Sequence, residues 1–398
     1  MTDLDRVRRW FDSGRLVRPS ADVINFVDLV RALAHLTGAE DMETGPGVKE
    51  LCRKIGHAEN YIFVLVDGLG VDLLQKLPEK AFLRTHMIGQ IQSVFLSTTA
   101  AALSALATGQ WPCTHGVPGW WTYLEESDIS VITLPFKERT TERPLEEFGI
   151  SMEDLFPMHS IWPRLKYDTL SVLPAEIVGS TYSRYALGET ASTGYVNLSG
   201  AIQTVLERIL YASRSSFLYL YLPQLDDLMH EKGTNHRDVR KFLITLSKTL
   251  GSLIEVLPKQ TRIVISADHG MINVPDEHQF TISESDPLRP HLRCPPTGEP
   301  AVPIFHVCEG HEETFAAEFT SRFGDHFALL IPEEIERLHL LGPGPLSQVM
   351  KRRLGTFVGI PPHPATFRIQ TYRGRSSSHI GRHGGLSKAE MYIPLILA

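Results

Sequence analysis

Apolar positions follow two different periods along this chain, and the change between them divides it. In residues 1–56, Val23-Ile24, Val27, Leu29-Val30, Leu33 and Leu36 recur three and four residues apart, the spacing of a helix with one buried face. A helical N-terminal extension is predicted there. From residue 60 the period is lost: Tyr61-Ile-Phe-Val-Leu-Val66 is an unbroken, β-branched-rich run closed by Asp67-Gly68. Such a run reads as a strand buried on both faces of a parallel sheet. Ser216-Phe-Leu-Tyr-Leu-Tyr-Leu222 repeats the arrangement ahead of Asp226-Asp227, and Arg262-Ile-Val-Ile-Ser266 ahead of Asp268-His269-Gly270. Helical spacing at 201–212 and 236–257 supplies crossovers, so the fold class is α/β, an open, mostly parallel sheet flanked by helices. Residues 272–380 are rich in Pro and Gly, with a short strand at 302–307 and a helix at 313–323. They read as a smaller α+β, cap-like insertion within a unit spanning 57–398, because chemically informative residues return only at His383.

Composition narrows the partners. With 398 residues, 39 Lys and Arg against 46 Asp and Glu, and a net charge of -7 without long runs of one sign, neither a nucleic-acid polymer nor a membrane surface is expected. A small-molecule partner is expected; oligomeric state is not legible. Cys52, Cys113, Cys294 and Cys308 are scattered, with no CxxC pair, and read as reduced thiols. The charged N-terminus has no signal-like apolar core, and no apolar run of about 18 residues occurs, so the expected location is cytoplasmic.

Three apolar strands each end in an aspartate, and in open α/β sheets ligands lie outside the carboxyl ends of the strands. Asp226 and His230 stand four apart, on one face of a helical turn, where both reach one ion; Asp227 is the alternative at a spacing of three. Asp268-His269, His379 and His383 complete an oxygen and nitrogen inventory large enough for two divalent ions, zinc or manganese. Ser97-Thr98-Thr99 opens an alanine-rich helix with three hydroxyls where a cap needs one. A hydroxyl at a helix N-terminus is also well placed to meet a phosphate.

These motifs, Val66-Asp67-Gly68, the 97–109 segment ending in Thr108-Gly109, His115-Gly-Val-Pro-Gly119, Asp226-x-x-x-His230-x-x-Gly233, Asp268-His-Gly-Met271 and His383-Gly-Gly385, resemble the alkaline phosphatase superfamily, most closely its type I phosphodiesterase and nucleotide pyrophosphatase branch. The resemblance spans 61–398 and implies an alkaline-phosphatase-like fold with two metal ions, most often zinc. It implies Asp226, His230 and His383 at one ion, and Asp67, Asp268, His269 and the nucleophile at the other. The family nucleophile lies ten residues before the closing glycine, which places it at Thr99. An unaided threonine hydroxyl is too weak an acid to attack near neutrality, so metal activation and a phosphothreonine intermediate follow, with net retention at phosphorus.

The position three residues after Thr99 carries Ala102 where nucleotide pyrophosphatases usually have Asn, and no monoesterase-type Arg is evident. The Ala100 backbone N–H then remains as a phosphate donor. Trp120 and Trp121 offer flat faces to a base or aromatic leaving group. His115 reads as a turn residue, His379 as the reserve for His383, and Arg382 as an exposed arginine. The expected activity is hydrolysis of a phosphodiester or phosphoanhydride, such as a nucleotide conjugate. Alternatives are a phosphomonoesterase or phosphonate hydrolase drawing a cation from 272–380, and a catalytically silent, metal-stabilised binding protein, against which the intact Thr99 argues.

Overall fold

A computed structural model describes residues 1–39, 42–370 and 379–398; the 371–378 part of the expected insertion lies outside them. The three apolar runs form adjacent parallel strands, buried throughout except at Arg262, with Asn60–Val66 between Ser216–Leu222 and Thr261–Ser266. Asp168–Pro174 and Ala191–Tyr195 extend the sheet in the same direction. On the other side Tyr392–Leu397 enters antiparallel between Thr261–Ser266 and Met87–Gln92, giving seven strands of which one runs against the rest. This mostly parallel sheet, covered by helices such as Leu198–Leu210 and Arg237–Val256, is the α/β core the sequence predicts.

Helices Asp3–Asp12, Phe26–Leu36 and Pro46–Ile55 occupy the N-terminal segment and bury their apolar faces in the same core as the central sheet. Arg31 Nε donates to the Gly109 carbonyl at 2.8 Å, tying the second of them to the end of the alanine-rich helix. A second seven-stranded sheet, antiparallel throughout, runs in the order Ala328–Leu330, Phe357–Ile360, Val302–Phe305, Thr297–Glu299, Trp121–Leu124, Ile129–Ile132, Lys137–Glu138. It therefore draws strands from 121–138 as well as from the 272–380 segment. The Pro-Pro-Thr-Gly-Glu-Pro stretch at 295–300 contains the strand Thr297–Glu299. Phe305, Phe315, Phe319, Phe323 and Phe367 pack a separate aromatic core behind this sheet.

Candidate active site

The carboxyl ends of the three central strands deliver their side chains to one point. Asp67 follows the first strand at a turn where Gly68 has φ +74°, and a Cβ there would meet Met229 and Asp226 at 2.9 and 3.1 Å. Asp226 and His230 sit on the helix Gln224–Lys232 after the second strand, with Asp226 Oδ2 3.2 Å from His230 Nε2. Asp227 instead lines the adjoining cavity. Asp268 and His269 follow the third strand, and His269 Nε2 stands 3.4 Å from both Asp67 Oδ1 and Asp268 Oδ2. His383 returns from the C-terminal segment with its Nε2 3.2 Å from that of His230 and its ring stacked on His269 at 3.9 Å.

The protons in this cluster are fixed from outside. His230 Nδ1 lies 2.9 Å from Gly381 O, His269 Nδ1 3.0 Å from Gly270 O, and His383 Nδ1 3.2 Å from Ser97 O. A carbonyl oxygen only accepts, so each Nδ1 carries a proton and each neutral imidazole turns an Nε2 lone pair inward. Asp67 Oδ1, Asp226 Oδ1 and Asp268 Oδ2 are buried with no hydrogen-bond partner. Lone pairs facing lone pairs in a buried site, beside three orphaned carboxylate oxygens, are the donor set of metal cations and a poor set for anything else. Burial, then the Asp268 and Asp226 carboxylates, hold Asp67 well above the usual carboxylate range. Burial works the same way on Asp226, but His230, His383 and His269 together outweigh burial and hold that carboxyl low when those rings carry a second proton. Burial, then His269, keep His383 well below the usual imidazole value.

Thr99 opens the helix Thr99–Thr108, whose ten residues are all buried, and its Oγ1 lies 3.1 Å from His269 Nε2. The three hydroxyls have separate partners. Ser97 Oγ donates to Gly385 O at 2.7 Å, lacing the Thr99 loop to the His383-Gly-Gly turn, and Thr98 Oγ1 donates to Glu299 at 2.5 Å. Neither makes a side-chain cap bond to the helix. Ala100, second in the helix, has one of the first-turn N–H groups that find no intrahelical acceptor. Ala102 is wholly buried and faces the core.

Thr99, Asp67 and Asp226 form one end of a cavity of about 500 Å³ whose walls are largely apolar, among them Leu103, Leu106, Trp162 and Tyr182. Trp120 lines it; Trp121 does not, and lies under the Arg139 guanidinium at 4.1 Å. His115 is buried and accepts from Val117 N at 3.1 Å, a turn-shaping contact. His379 lies beside His230, ring centres 4.7 Å apart and planes tilted by 38°. Arg382, expected to be exposed, is buried, because its strand pairs with Ile272–Asn273 beside the histidines.

Two residues escaped the sequence reading. Tyr221 Oη donates to Asp67 Oδ2 at 2.5 Å; burial, then Asp67, push its phenol well up, so it remains a donor. A tyrosine inside a buried strand is itself a signal, since its hydroxyl needs a partner. Glu299 accepts from Thr98 and from Trp120 N, and burial raises it to about 7 against those bonds. Nothing around it in sequence marks it out.

A sequence profile described as type I phosphodiesterase / nucleotide pyrophosphatase matches residues 61–385. The chain belongs to that family. It is a phosphodiesterase/pyrophosphatase-type hydrolase of the alkaline phosphatase superfamily, and the family is metal-dependent. Comparison with curated proteins found no significant match. Among solved structures, human ectonucleotide pyrophosphatase / phosphodiesterase 5 aligns with a TM-score of 0.63 at 18% identity over 85% of this chain and 87% of that one. The murine protein aligns at 0.62 with 17% identity over 84% and 87%. An inactive threonine-to-alanine variant of the murine protein, in complex with AMP, aligns at 0.61 with 17% identity over 84% and 87%. At these identities the likeness is one of fold, and this phosphodiesterase shares it through the central sheet and its flanking helices. Among the described residues, no helix is long and apolar enough to cross a membrane.

Proposed function

We propose that this phosphodiesterase hydrolyses a phosphodiester or phosphoanhydride of a small molecule, such as a nucleotide conjugate, through a phosphothreonine on Thr99. Asp226, His230 and His383 would hold one divalent ion, and Asp67, Asp268, His269 and Thr99 Oγ1 a second, with zinc favoured by the mixed imidazole and carboxylate set and manganese as the alternative. Bound there, the ions supply stabilisation of the threonine alkoxide and neutralisation of charge on the phosphoryl group. Thr99 Oγ1 attacks phosphorus in line, the leaving oxygen departs, and water then cleaves the phosphothreonine, so two displacements give net retention. The Ala100 N–H and the helix N-terminus receive a non-bridging oxygen. Trp120 and the apolar cavity wall take the organic substituent. The AMP bound to the murine relative supports a nucleotide there. The four free thiols support a reducing, cytoplasmic setting.

The observation that carries this reading is Thr99 Oγ1 at a helix start, 3.1 Å from a histidine nitrogen whose own proton points the other way. Thr99→Ala is expected to lower kcat by at least about a thousandfold, with bound metal counted in the same sample. Unchanged turnover with metal retained would remove the phosphothreonine from the mechanism. One feature favours a monoesterase or phosphonate hydrolase: Lys137 is the single cation among the described residues lining the cavity, supplied by the 121–138 strands rather than by 272–380. The ratio of kcat/KM for a nitrophenyl phosphodiester to that for the monoester separates the readings, a value above one supporting the diesterase.

A further inference from the structure

Outside the active site, a second group of three histidines is brought together from three parts of the chain. His278 ends the turn Asp276–His278, His326 follows the helix Glu312–Phe323, and His363 lies between the strands Phe357–Ile360 and Thr366–Ile369. One ring nitrogen of each lies within 4.8 Å of the other two. Their ring centres are 4.5 to 5.2 Å apart. His278 Nδ1 and His363 Nδ1 stand 3.1 and 3.3 Å from the same oxygen, the Pro364 carbonyl. That oxygen only accepts, so both rings keep their proton on Nδ1 and leave Nε2 as a lone pair. His326 Nδ1 is buried with no hydrogen-bond partner.

A satisfied polar cluster would share protons among its members or include a carboxylate acceptor; this one spends two protons on a single carbonyl and leaves a third ring's buried nitrogen unmet. We propose that His278, His326 and His363 bind a divalent transition-metal ion of the zinc class, with water completing its coordination. Three imidazoles without a carboxylate suit zinc, copper or nickel and disfavour magnesium and calcium. The ion would be structural. His278 opens the strand Gln279–Ile282 and His363 precedes Thr366–Ile369, and these two strands pair in parallel. The segment leading into the first leaves Asp268-His269, and the segment after the second returns to His383. An ion here ties these two paired strands together at their root.

The test counts metal in the full-length protein, stripped with a chelator, reloaded with zinc and dialysed. His326→Ala and His363→Gln are each expected to hold one zinc fewer per chain than wild type, with kcat/KM within about threefold. Because the difference between chains is read, the result does not depend on two ions at Thr99. Equal counts in wild type and a folded variant would overturn the proposal. A lower count accompanied by lost turnover would also overturn it, by placing the missing ion at the active site. Should one variant fail to fold, the other decides.

Discussion

At the scale of single residues, Tyr221 and Glu299 show how the cluster is held by groups outside its inward-facing donor set. The Tyr221 hydroxyl orients Asp67, so Tyr221→Phe is expected to weaken metal affinity or turnover about 10- to 100-fold, measured by zinc titration and kcat. Glu299 carries a proton up to about pH 7, against an ordinary value near 4.5. The folded chain binds this proton more tightly than the unfolded one, so the contribution is fully present below about 4.5 and fades as pH rises to about 7. Above that it is flat and unfavourable by up to about 3 kcal/mol. Glu299→Gln is expected to abolish this slope. Urea midpoints of the two chains should therefore diverge in favour of the variant between pH 5 and pH 8, and parallel curves would count against it. Asp226 with His230 and Asp268 with His269 stand out in the sequence because each pair follows an apolar run, whereas Thr99 is singled out among three hydroxyls only by the family resemblance. Glu299 does not stand out, since its meeting with Thr98 is created by tertiary packing across about two hundred residues.

Elements show the same division. The three buried strands read directly from their unbroken apolar runs, whereas Met87–Gln92 is partly exposed and carries Gly and Gln, and Tyr392–Leu397 contains Pro394. The strands at 121–138 are four residues or fewer, too short for a period to emerge. Trp121 was read as a substrate contact for the same reason: without the strand, nothing says which face its side chain takes. The joint between these strands and Thr297–Glu299 depends on glycine. A Cβ on Gly119 would stand 2.9 Å from the Gly298 backbone, and Gly298 itself has φ +72°. Gly119→Ala is therefore expected to push the two strands apart, costing about 1–3 kcal/mol and lowering kcat by moving Trp120 and Glu299 together. A urea midpoint equal to wild type would show that the joint has slack.

For the whole molecule, the family profile starts at residue 61, yet the helices before it complete the core. Asp3 Oδ2 accepts from Leu329 N at 2.8 Å, so the first helix also reaches the second sheet. Periodicity gave those helices but not their destination, because an apolar stripe does not name the surface it covers. The strand Tyr392–Leu397 has a comparable reach, since it lies inside the central sheet and not at its edge. A chain ending at residue 386 is expected to keep Thr99 and His383 yet lose cooperative unfolding and turnover, as read by thermal melting and kcat.

That interior position also sets an order of events during synthesis. Thr99, Asp226 and Asp268 emerge from the ribosome while Thr261–Ser266 still has an open side and Met87–Gln92 has no strand beside it in the sheet, and only Tyr392–Leu397, made after all of them, can close the gap. Until then the nascent chain exposes strand edges of the kind that chaperones shield. Its hydrolytic centre is withheld until that strand has been made.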